Sequence, residues 1–544
     1  MTSTTPTTPQ ELITAILARR GITEEQHEQF FHPRYEDTYD PWLLNDMEAA
    51  VTRIAGAIED GERIVIYGDY DIDGLSATTL LLDGLKQLGA RVNAYIPDRF
   101  EEGYGLNAAA LSKVQAEGAD LVITVDCGSV SFAPLEQAAA AGLDVIVTDH
   151  HEPYTQLPPA QAVINPKRAD STYPFRELAG VGVAFKLMQA LQQQLPGLSP
   201  GQEKWLLDLV ALGTVCDVVP LRDENRVLVT YGLKTARRSR RAGIKSLADV
   251  GGVALAELQP HHFGFVLGPR LNAAGRLEHA RTALEVLTAA DQASATASAE
   301  QLDALNTQRR QQQDSIYEQA LTQAQDYIDD PVLVLSHPEW SHGIVGIVAS
   351  KLVERLQKPT VLLQELEDRA KGSARSLGGF DMVDAFRAAD DVLDVYGGHQ
   401  VAAGCSLAVD AIPQLRQRLL TYYQQQGFDG LATQLEPDAT VSDMELLNEQ
   451  TYQLLEGMAP FGMGNPRPLL HIPEVKVGSA RQVGNDQDHL KLSVSDGRQH
   501  LDAIGFGLGH RLQEIGEQVS LWFELDKNHY NGRSQLQLKL KELA

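Results

Sequence analysis

Three aspartates at alternate positions, Asp69, Asp71 and Asp73, stand in the run Gly68-Asp69-Tyr70-Asp71-Ile72-Asp73-Gly74, directly after the apolar stretch Ile64-Val65-Ile66-Tyr67. In an extended segment that spacing puts all three carboxylates on one side. Anions so close repel unless cations neutralise them, and hard oxygen ligands at that density suit Mg²⁺ or Mn²⁺. An acidic turn is the bland alternative. Two further apolar runs end in groups that can join them: Thr124-Val125-Asp126-Cys127-Gly128 and Thr148-Asp149-His150-His151. Adjacent histidines at a strand end diverge, so one can ligate a metal while the other faces a substrate. Asp217 closes an apolar helix with no other charge near it, and a buried carboxylate there needs a partner such as a metal. Several carboxylates with at least one imidazole favour Mn²⁺ over Mg²⁺ or Ca²⁺, and the scattered Cys127, Cys216 and Cys405 disfavour structural zinc. The inference is a two-ion hydrolytic site acting at phosphorus.

Elements able to position such a site alternate from Arg63 to Asp149. The pattern predicts strands at Ile64–Tyr67, Val92–Ile96, Leu121–Val125 and Val145–Thr148, with helices at Leu75–Leu88, Leu106–Glu117 and Phe132–Ala141. This is a doubly wound parallel sheet, and ligands bind such sheets at the carboxyl ends of the strands. Helices follow around Leu178–Gln194 and Lys204–Thr214. Residues Ala293 to Tyr327 lack Gly and Pro and predict a long connecting helix. A second α/β pattern starts at Val332–Leu335, and short alternating segments beyond Leu469 predict a small antiparallel barrel.

The composition agrees with an enzyme of several domains. At roughly 150 residues per domain, 544 residues give three or four. Hydrophobic residues at 43% and charged residues at 22% exclude a disordered tail, and no apolar run is long enough for a membrane span. The Thr/Pro-rich start does not read as a signal peptide, and an odd, scattered cysteine set suits a reducing cytoplasm. The net charge of −27 disfavours indiscriminate adhesion to polyanions. Between Arg222 and Lys245, however, Arg222, Arg226, Lys234, Arg237, Arg238, Arg240, Arg241 and Lys245 face only Asp223 and Glu224. That cluster is either a wall of a nucleic-acid path or a solvated helix face.

The Asp69–Gly74 motif, Asp126, the literal Asp149-His150-His151 signature and Asp217 together resemble the DHH phosphoesterase superfamily. Gly268-Pro269-Arg270-Leu271-Asn272-Ala273-Ala274-Gly275-Arg276, His342-Gly343-Ile344-Val345-Gly346, Gly372-Ser373-Ala374-Arg375-Ser376 and Gly397-Gly398-His399 narrow the resemblance to the RecJ single-strand-specific exonucleases. The resemblance implies an α/β fold: a parallel-sheet DHH domain joined by a long helix to a smaller α/β DHHA1 domain, followed by a β-barrel OB domain. The corresponding boundaries are an N-terminal segment 1–45, a DHH catalytic domain 46–290, the helix 291–329, a DHHA1 domain 330–430 and an OB domain with its preceding linker 431–544. It also implies two divalent ions, Mn²⁺ or Mg²⁺, on Asp69, Asp71, Asp73, Asp126, His150 and Asp217, with Asp126 bridging. His151 would contact the scissile phosphate and His399 would approach from the second lobe, giving Asp126, His151 and His399 as the catalytic set. Arg99, Arg270, Asn272, Arg276, His342, Ser373, Arg375, Ser376 and His399 would bind the strand, with Ser373, Arg375 and Ser376 shaping a pocket for a 5′ phosphate.

After the motif Pro460-Phe461-Gly462-Met463-Gly464-Asn465-Pro466, read as a linker, the barrel offers His489, Lys491, Phe506, Trp522, His529, Tyr530, Arg533 and Lys539 to a strand. Most of those aromatics, Phe506 and Trp522 included, read as barrel core. The additional C-terminal domain of some longer family members is expected to be missing. The implied function is removal of mononucleotides from the 5′ end of single-stranded DNA in recombination and repair, by a cytoplasmic monomer working with a single-strand-binding protein and a helicase. Two other readings stand beside it: a DHH phosphodiesterase acting on short RNA, cyclic dinucleotides or pyrophosphate, and a catalytically dead scaffold that only holds nucleic acid.

Overall fold

The computed structural model describes residues 6–98, 102, 105–428, 435–530 and 533–544, and the side chains of 529, 530 and 533 are not described. Arg99, His529, Tyr530 and Arg533 therefore lie outside the described side chains. Two compact units divide the chain: Met1–Arg240 with Val253–Gly268 and Leu435–Ala544, and Arg241–Gly252 with Pro269–Gln434. Among the described residues no helix is long and apolar enough to cross a membrane.

The first unit contains a five-stranded sheet of β1 (Arg63–Gly68), β2 (Arg91–Tyr95), β3 (Leu121–Val125), β4 (Asp144–Thr148) and β5 (Ala162–Ile164) in the order β2-β1-β3-β4-β5. Every pairing is parallel. β3, Leu-Val-Ile-Thr-Val, is buried along its whole length, as a central strand with helices on both faces must be. The chain steps outward from β1 to β2 and then returns past β1 to β3. That reversal opens a crevice at the carboxyl ends of β1 and β3. The helices Ile72–Gln87, Gly180–Gln194 and Leu207–Cys216 pack together, while Ala108–Ala116 packs on Phe132–Ala140. The strand β5 escaped the sequence reading because three residues carry no period.

In the second unit the helix Gln292–Ala324 runs for 33 residues, as its lack of Gly and Pro predicts. The sheet comprises β6 (Leu333–His337), β7 (Thr360–Leu366), β8 (Arg369–Arg375), β9 (Val395–His399) and β10 (Ala402–Ala408), ordered β6-β7-β8-β10-β9. Only β6 and β7 run parallel. Arg375 closes β8, and His399 closes the edge strand β9.

The barrel belongs to the first unit. β11 (Ala439–Thr440) adds to β12 (Leu470–Val483), which continues through β13 (His489–Ser495), β14 (His500–Gly505), β16 (Arg533–Leu543) and β15 (Gln518–Tyr530) back to β12. The barrel is not purely antiparallel as expected, because β14 and β16 pair in parallel to close it. Its core is aliphatic, built from Leu470, Ile472, Leu490, Leu492, Val494, Leu521, Leu538 and Leu540 around Phe523. Phe506 is 58% exposed, which corrects its assignment to the core. Trp522 points outward, half-buried, and stacks on His471 with centroids 4.3 Å apart. Leu12, Ile13, Ile16 and Leu17 of the N-terminal helix Pro9–Arg19 join this core.

Candidate active site

Asp69 follows β1, Asp126 follows β3, and Asp149, His150 and His151 follow β4, so three neighbouring strands deliver acids and imidazoles to one edge. The three aspartates of the first motif converge differently from expectation. The segment is not extended: Asp71 caps the helix Ile72–Gln87, accepting from Gly74 N at 3.0 Å, and Asp73 lies within its first turn. Asp126 has φ 61°, a left-handed conformation that short polar side chains tolerate better than most residues.

His150 is the hub of the buried cluster. Its Nε2 lies 3.1 Å from Asp126 Oδ1, 3.6 Å from Asp217 Oδ2 and 3.9 Å from Asp73 Oδ2. Three overlapping sets have ligand atoms within 4.8 Å of one another: Asp126, His150 and His151; Asp73, His150 and Asp217; and Asp69, Asp71 and Asp126. All six residues expected to hold metal are thus brought together. Asp73 is steered by the start of the helix Gly180–Gln194, whose Gly180 and Val181 N–H groups donate to it at 2.6 and 2.9 Å. Only glycine allows that approach, since a Cβ on residue 180 would lie 2.8 Å from Asp126 Cβ.

The electrostatics follow from burial of like charges. Desolvation, then Asp71, push Asp73 up to about 7. Desolvation and the charges of Asp73 and Asp71 raise Asp217 to about 9, and Asp126 rises well above the carboxylate range for the same reasons. Desolvation and His151 depress His150 to about 3, so it is a neutral donor of lone pairs. Asp126 Oδ1, Asp217 Oδ2 and both ring nitrogens of His150 are buried without a hydrogen-bond partner among the described residues. Unsatisfied carboxyl oxygens facing a neutral imidazole are a donor set that divalent cations can claim from protons, so these residues fit a metal centre.

His151 is held apart from this hub. Its side chain is 39% exposed, and Nδ1 lies 2.8 Å from Asp149 Oδ1. Burial alone would lower His151, but the hydrogen bond and charge of Asp149 carry it up to about 9. Burial opposes ionisation of Asp149, yet the bonds from His151 and from Ser129 N hold it well below the usual carboxylate range. Asn165 completes the support by donating to Ser129 Oγ and to the His151 carbonyl, each at 2.8 Å. Sequence reasoning missed Ser129 and Asn165. Asn165 directly follows β5, so the rule that strand ends carry the site could have found it. Lys167, whose charge reaches both His150 and Asp217, was missed with it.

The other candidate residues with described side chains lie in the second unit. Arg270 pairs with Asp303 at 2.8 Å, Arg276 Nη1 donates to the Gly343 carbonyl at 3.0 Å, and Asn272 is half-buried between them in sequence. His342 contacts Gln364 Oε1 through N and Nδ1. Ser376 Oγ donates to the Phe380 carbonyl at 2.8 Å, and His399 is exposed. Arg375 and Ser373 meet at the start of the helix Val345–Leu356, where a Cβ on Gly346 would lie 3.0 Å from Arg375 Nη2 and 3.3 Å from Ser373 Oγ. Burial lowers the Arg375 guanidinium, which forms no ion pair among the described residues. A helix N-terminus, a hydroxyl and an uncompensated guanidinium together favour a phosphate.

Five arginines of the basic cluster make individual structural contacts, while Lys234 and Arg238 are exposed. Arg226 is buried over the Phe30 ring and donates to the carbonyls of Phe30 and Ala459, while Arg222 and Arg237 bond the carbonyls of Gly464 and Leu258. Arg240 covers Trp205, and Arg241 reaches the Leu287 carbonyl. On the barrel, His489 meets Phe506 edge-on at 5.1 Å, Lys491 pairs with Asp502, and Lys539 lies 4.0 Å from Glu524.

Three family profiles match the chain: the DHH family, N-terminal domain, over residues 63–214; the DHHA1 domain over 329–425; and the RecJ OB domain over 438–542. The single-stranded-DNA-specific exonuclease RecJ of Bacillus subtilis (strain 168) is 38% identical over 539 residues, covering 98% of this chain and 68% of that protein. The protein of the same name from Dickeya dadantii (strain 3937) is 37% identical over 562 residues, covering 98% and 96%. The crystal structure of RecJ in complex with Mn²⁺ from Thermus thermophilus matches with a TM-score of 0.84 at 30% identity, over 98% of this chain and 76% of that one.

Proposed function

The chain belongs to the RecJ family of single-stranded-DNA-specific exonucleases, and from that premise we propose that it removes 5′-mononucleotides from the 5′ end of single-stranded DNA. The observation that carries the reading is the convergence of Asp73, Asp126, His150 and Asp217 with buried lone pairs left unsatisfied. Asp69, Asp71, Asp73, Asp126, His150 and Asp217 would hold two divalent cations, Mn²⁺ or Mg²⁺. Asp126, which belongs to two of the three overlapping sets, would bridge them. When bound, such a pair supplies Lewis acidity at the phosphoryl group and a nucleophile competent near neutral pH.

The chain's own residues do the rest. Asp149 fixes the His151 ring and its charge favours the protonated form, from which Nε2 can donate to an oxygen of the scissile phosphate. Ser373, Arg375 and Ser376 take the terminal 5′ phosphate, and Arg99, Arg270, Asn272, Arg276, His342 and His399 align the strand. In the net reaction the oxygen of water bonds to phosphorus, the P–O3′ bond breaks, and the 3′ oxygen takes up the proton. We propose further, from the resemblance of its motifs, that it works in recombination and repair, in the cytoplasm, as a monomer acting beside a single-strand-binding protein and a helicase.

The test uses two copies of one oligonucleotide, labelled at the 5′ phosphate or at the 3′ end, with Mn²⁺ and the full chain. The 5′ label is expected in mononucleotide from the first time point, the matching duplex is expected to resist, and Asp126→Ala is expected to bind the strand without cutting it. A 5′-labelled ladder shortening from the other end would overturn the polarity.

A further inference from the structure

We infer that the turn Gly462–Asn465, read from sequence as a linker, is a positioning device for Asp217, with Asn465 as its organising residue. The inference rests on the reading of Asp217 as a metal ligand.

Asp217 caps the helix Leu207–Cys216, its N–H returning to the Gly213 carbonyl at 2.8 Å. The chain then has only the connection from Val218 to Arg222 before the helix Asp223–Ala236 begins. Val218 adopts φ 62° and is 57% exposed. A β-branched residue does not enter the left-handed region by preference, and its own side chain packs on little there. Such a conformation persists only where its surroundings over-determine it.

The barrel-bearing segment supplies that constraint. Met463 O accepts Leu221 N–H at 2.8 Å, Gly464 O accepts Arg222 Nε at 2.8 Å, and Ala459 O accepts Arg226 Nη2 at 2.7 Å. Two carbonyls of the turn therefore hold the end of the connection, and Ala459, just before the turn, holds the first turn of the helix that follows it. Gly462 sits so close that a Cβ there would lie 2.7 Å from Leu221 Cδ1.

Asn465 builds the turn. It is 2% exposed and uses its whole side chain: Nδ2 donates to Met458 O and Pro460 O at 2.9 Å each, and Oδ1 accepts Arg20 Nη1 at 2.8 Å. Its backbone exchanges two bonds with Gly462, at 3.0 and 3.1 Å. Asp217 Oδ2 itself has no hydrogen-bond partner among the described residues, so its position is fixed through its backbone. Outer contacts that orient a ligand set metal affinity as the ligand does.

The experiment counts bound Mn²⁺ from the loss of the free-ion electron paramagnetic resonance signal, on the full chain and on Asn465→Ala and Gly462→Ala. Mn²⁺ affinity is expected to fall about tenfold in both. Turnover at saturating Mn²⁺ should return close to the parent value, with the half-saturating strand concentration unchanged. Folded variants that bind Mn²⁺ like the parent, or whose lost turnover excess Mn²⁺ does not restore, would overturn the inference. Should Asn465→Ala not fold, Arg222→Met, which removes one bond at the surface, decides by the same readout. Asp217→Asn separates the two levels. If it binds Mn²⁺ like the parent, the ligand assignment fails; if it alone loses Mn²⁺, only the positioning role does.

Discussion

His150 Nε2 lies 3.1 Å from Asp126 Oδ1, yet neither atom takes part in a hydrogen bond among the described residues. A neutral imidazole nitrogen and a carboxylate oxygen that face each other with lone pairs are stable only around a proton or a cation. Mn²⁺ should therefore stabilise the fold. At a hundred times its dissociation constant, one ion contributes about 2.7 kcal/mol, enough to raise the melting temperature of a domain this size by roughly 5 °C or more. Calorimetry with Mn²⁺ and with chelator checks this, and Asp126→Asn should abolish most of the shift.

Metal binding should also compete with protons. Without a cation, burial and mutual repulsion hold Asp73 at about 7 and Asp217 at about 9. Both are raised, so the protonated forms that cannot ligate persist to higher pH than for an ordinary carboxylate. Mn²⁺ affinity should consequently rise as pH increases from about 6 to 9, with protons released on binding. The sign for the metal-free fold is the opposite: stability present below the ordinary carboxylate range is lost as pH rises through these raised values. Titration calorimetry in buffers of differing ionisation enthalpy measures the release, and a pH-independent affinity would contradict it.

How far this centre could be read from sequence depends on the residue. Asp126 and Asp149-His150-His151 were legible because each ends a continuous apolar strand, and a parallel sheet brings neighbouring strand ends together. The Asp69–Asp73 motif was legible for a partly wrong reason. Alternation along a strand was expected to align the acids, whereas Asp71 caps a helix and Asp73 turns into it. Gly180 and Ser129 were illegible because small side chains carry no periodic signal, and Asn165 was overlooked because the three-residue strand it follows was itself missed. The run from Arg222 to Arg241 left a nucleic-acid wall and a solvated face both open for a related reason: a charge run does not reveal which guanidinium ends on a carbonyl, as Arg226 and Arg237 do.

Asp149 holds His151 through a 2.8 Å contact and also receives N–H groups from Ser129, His150 and His151. Asp149→Asn keeps the size of the group but removes the charge that stabilises the imidazolium. Turnover should fall by about a hundredfold or more, by analogy with the orienting carboxylate of a catalytic triad, while Mn²⁺ binding is largely kept. Single-turnover kinetics at saturating Mn²⁺ distinguish this from loss of the ions.

Arg375 is a buried guanidinium without a carboxylate partner among the described residues, beside Ser373 and the start of the helix Val345–Leu356. A strand end carrying a phosphate would supply the missing anion. Arg375→Ala should lower kcat/KM for 5′-phosphorylated strands by about tenfold to a hundredfold, a loss of roughly 1.5 to 3 kcal/mol for a charged hydrogen bond. Strands ending in a 5′ hydroxyl should be affected little. Equal losses on both ends would place the phosphate pocket elsewhere.

Phe506 and Phe523 separate the two uses of an aromatic ring in the barrel. Phe523 is fully buried among Leu470, Leu521 and Leu540, so Phe523→Ala should cost about 3 to 5 kcal/mol and shift unfolding. Phe506, 58% exposed and edge-on to His489, contributes little to packing. A ring in that position can stack on a base of any sequence, at about 1 to 3 kcal/mol. Phe506→Ala should therefore leave the melting temperature unchanged and weaken single-strand binding by about fivefold or more, without base preference. Binding measured by fluorescence anisotropy on strands of each base checks it. An unaltered affinity would place the strand on another face of the barrel, since no packing role remains to explain the exposed ring.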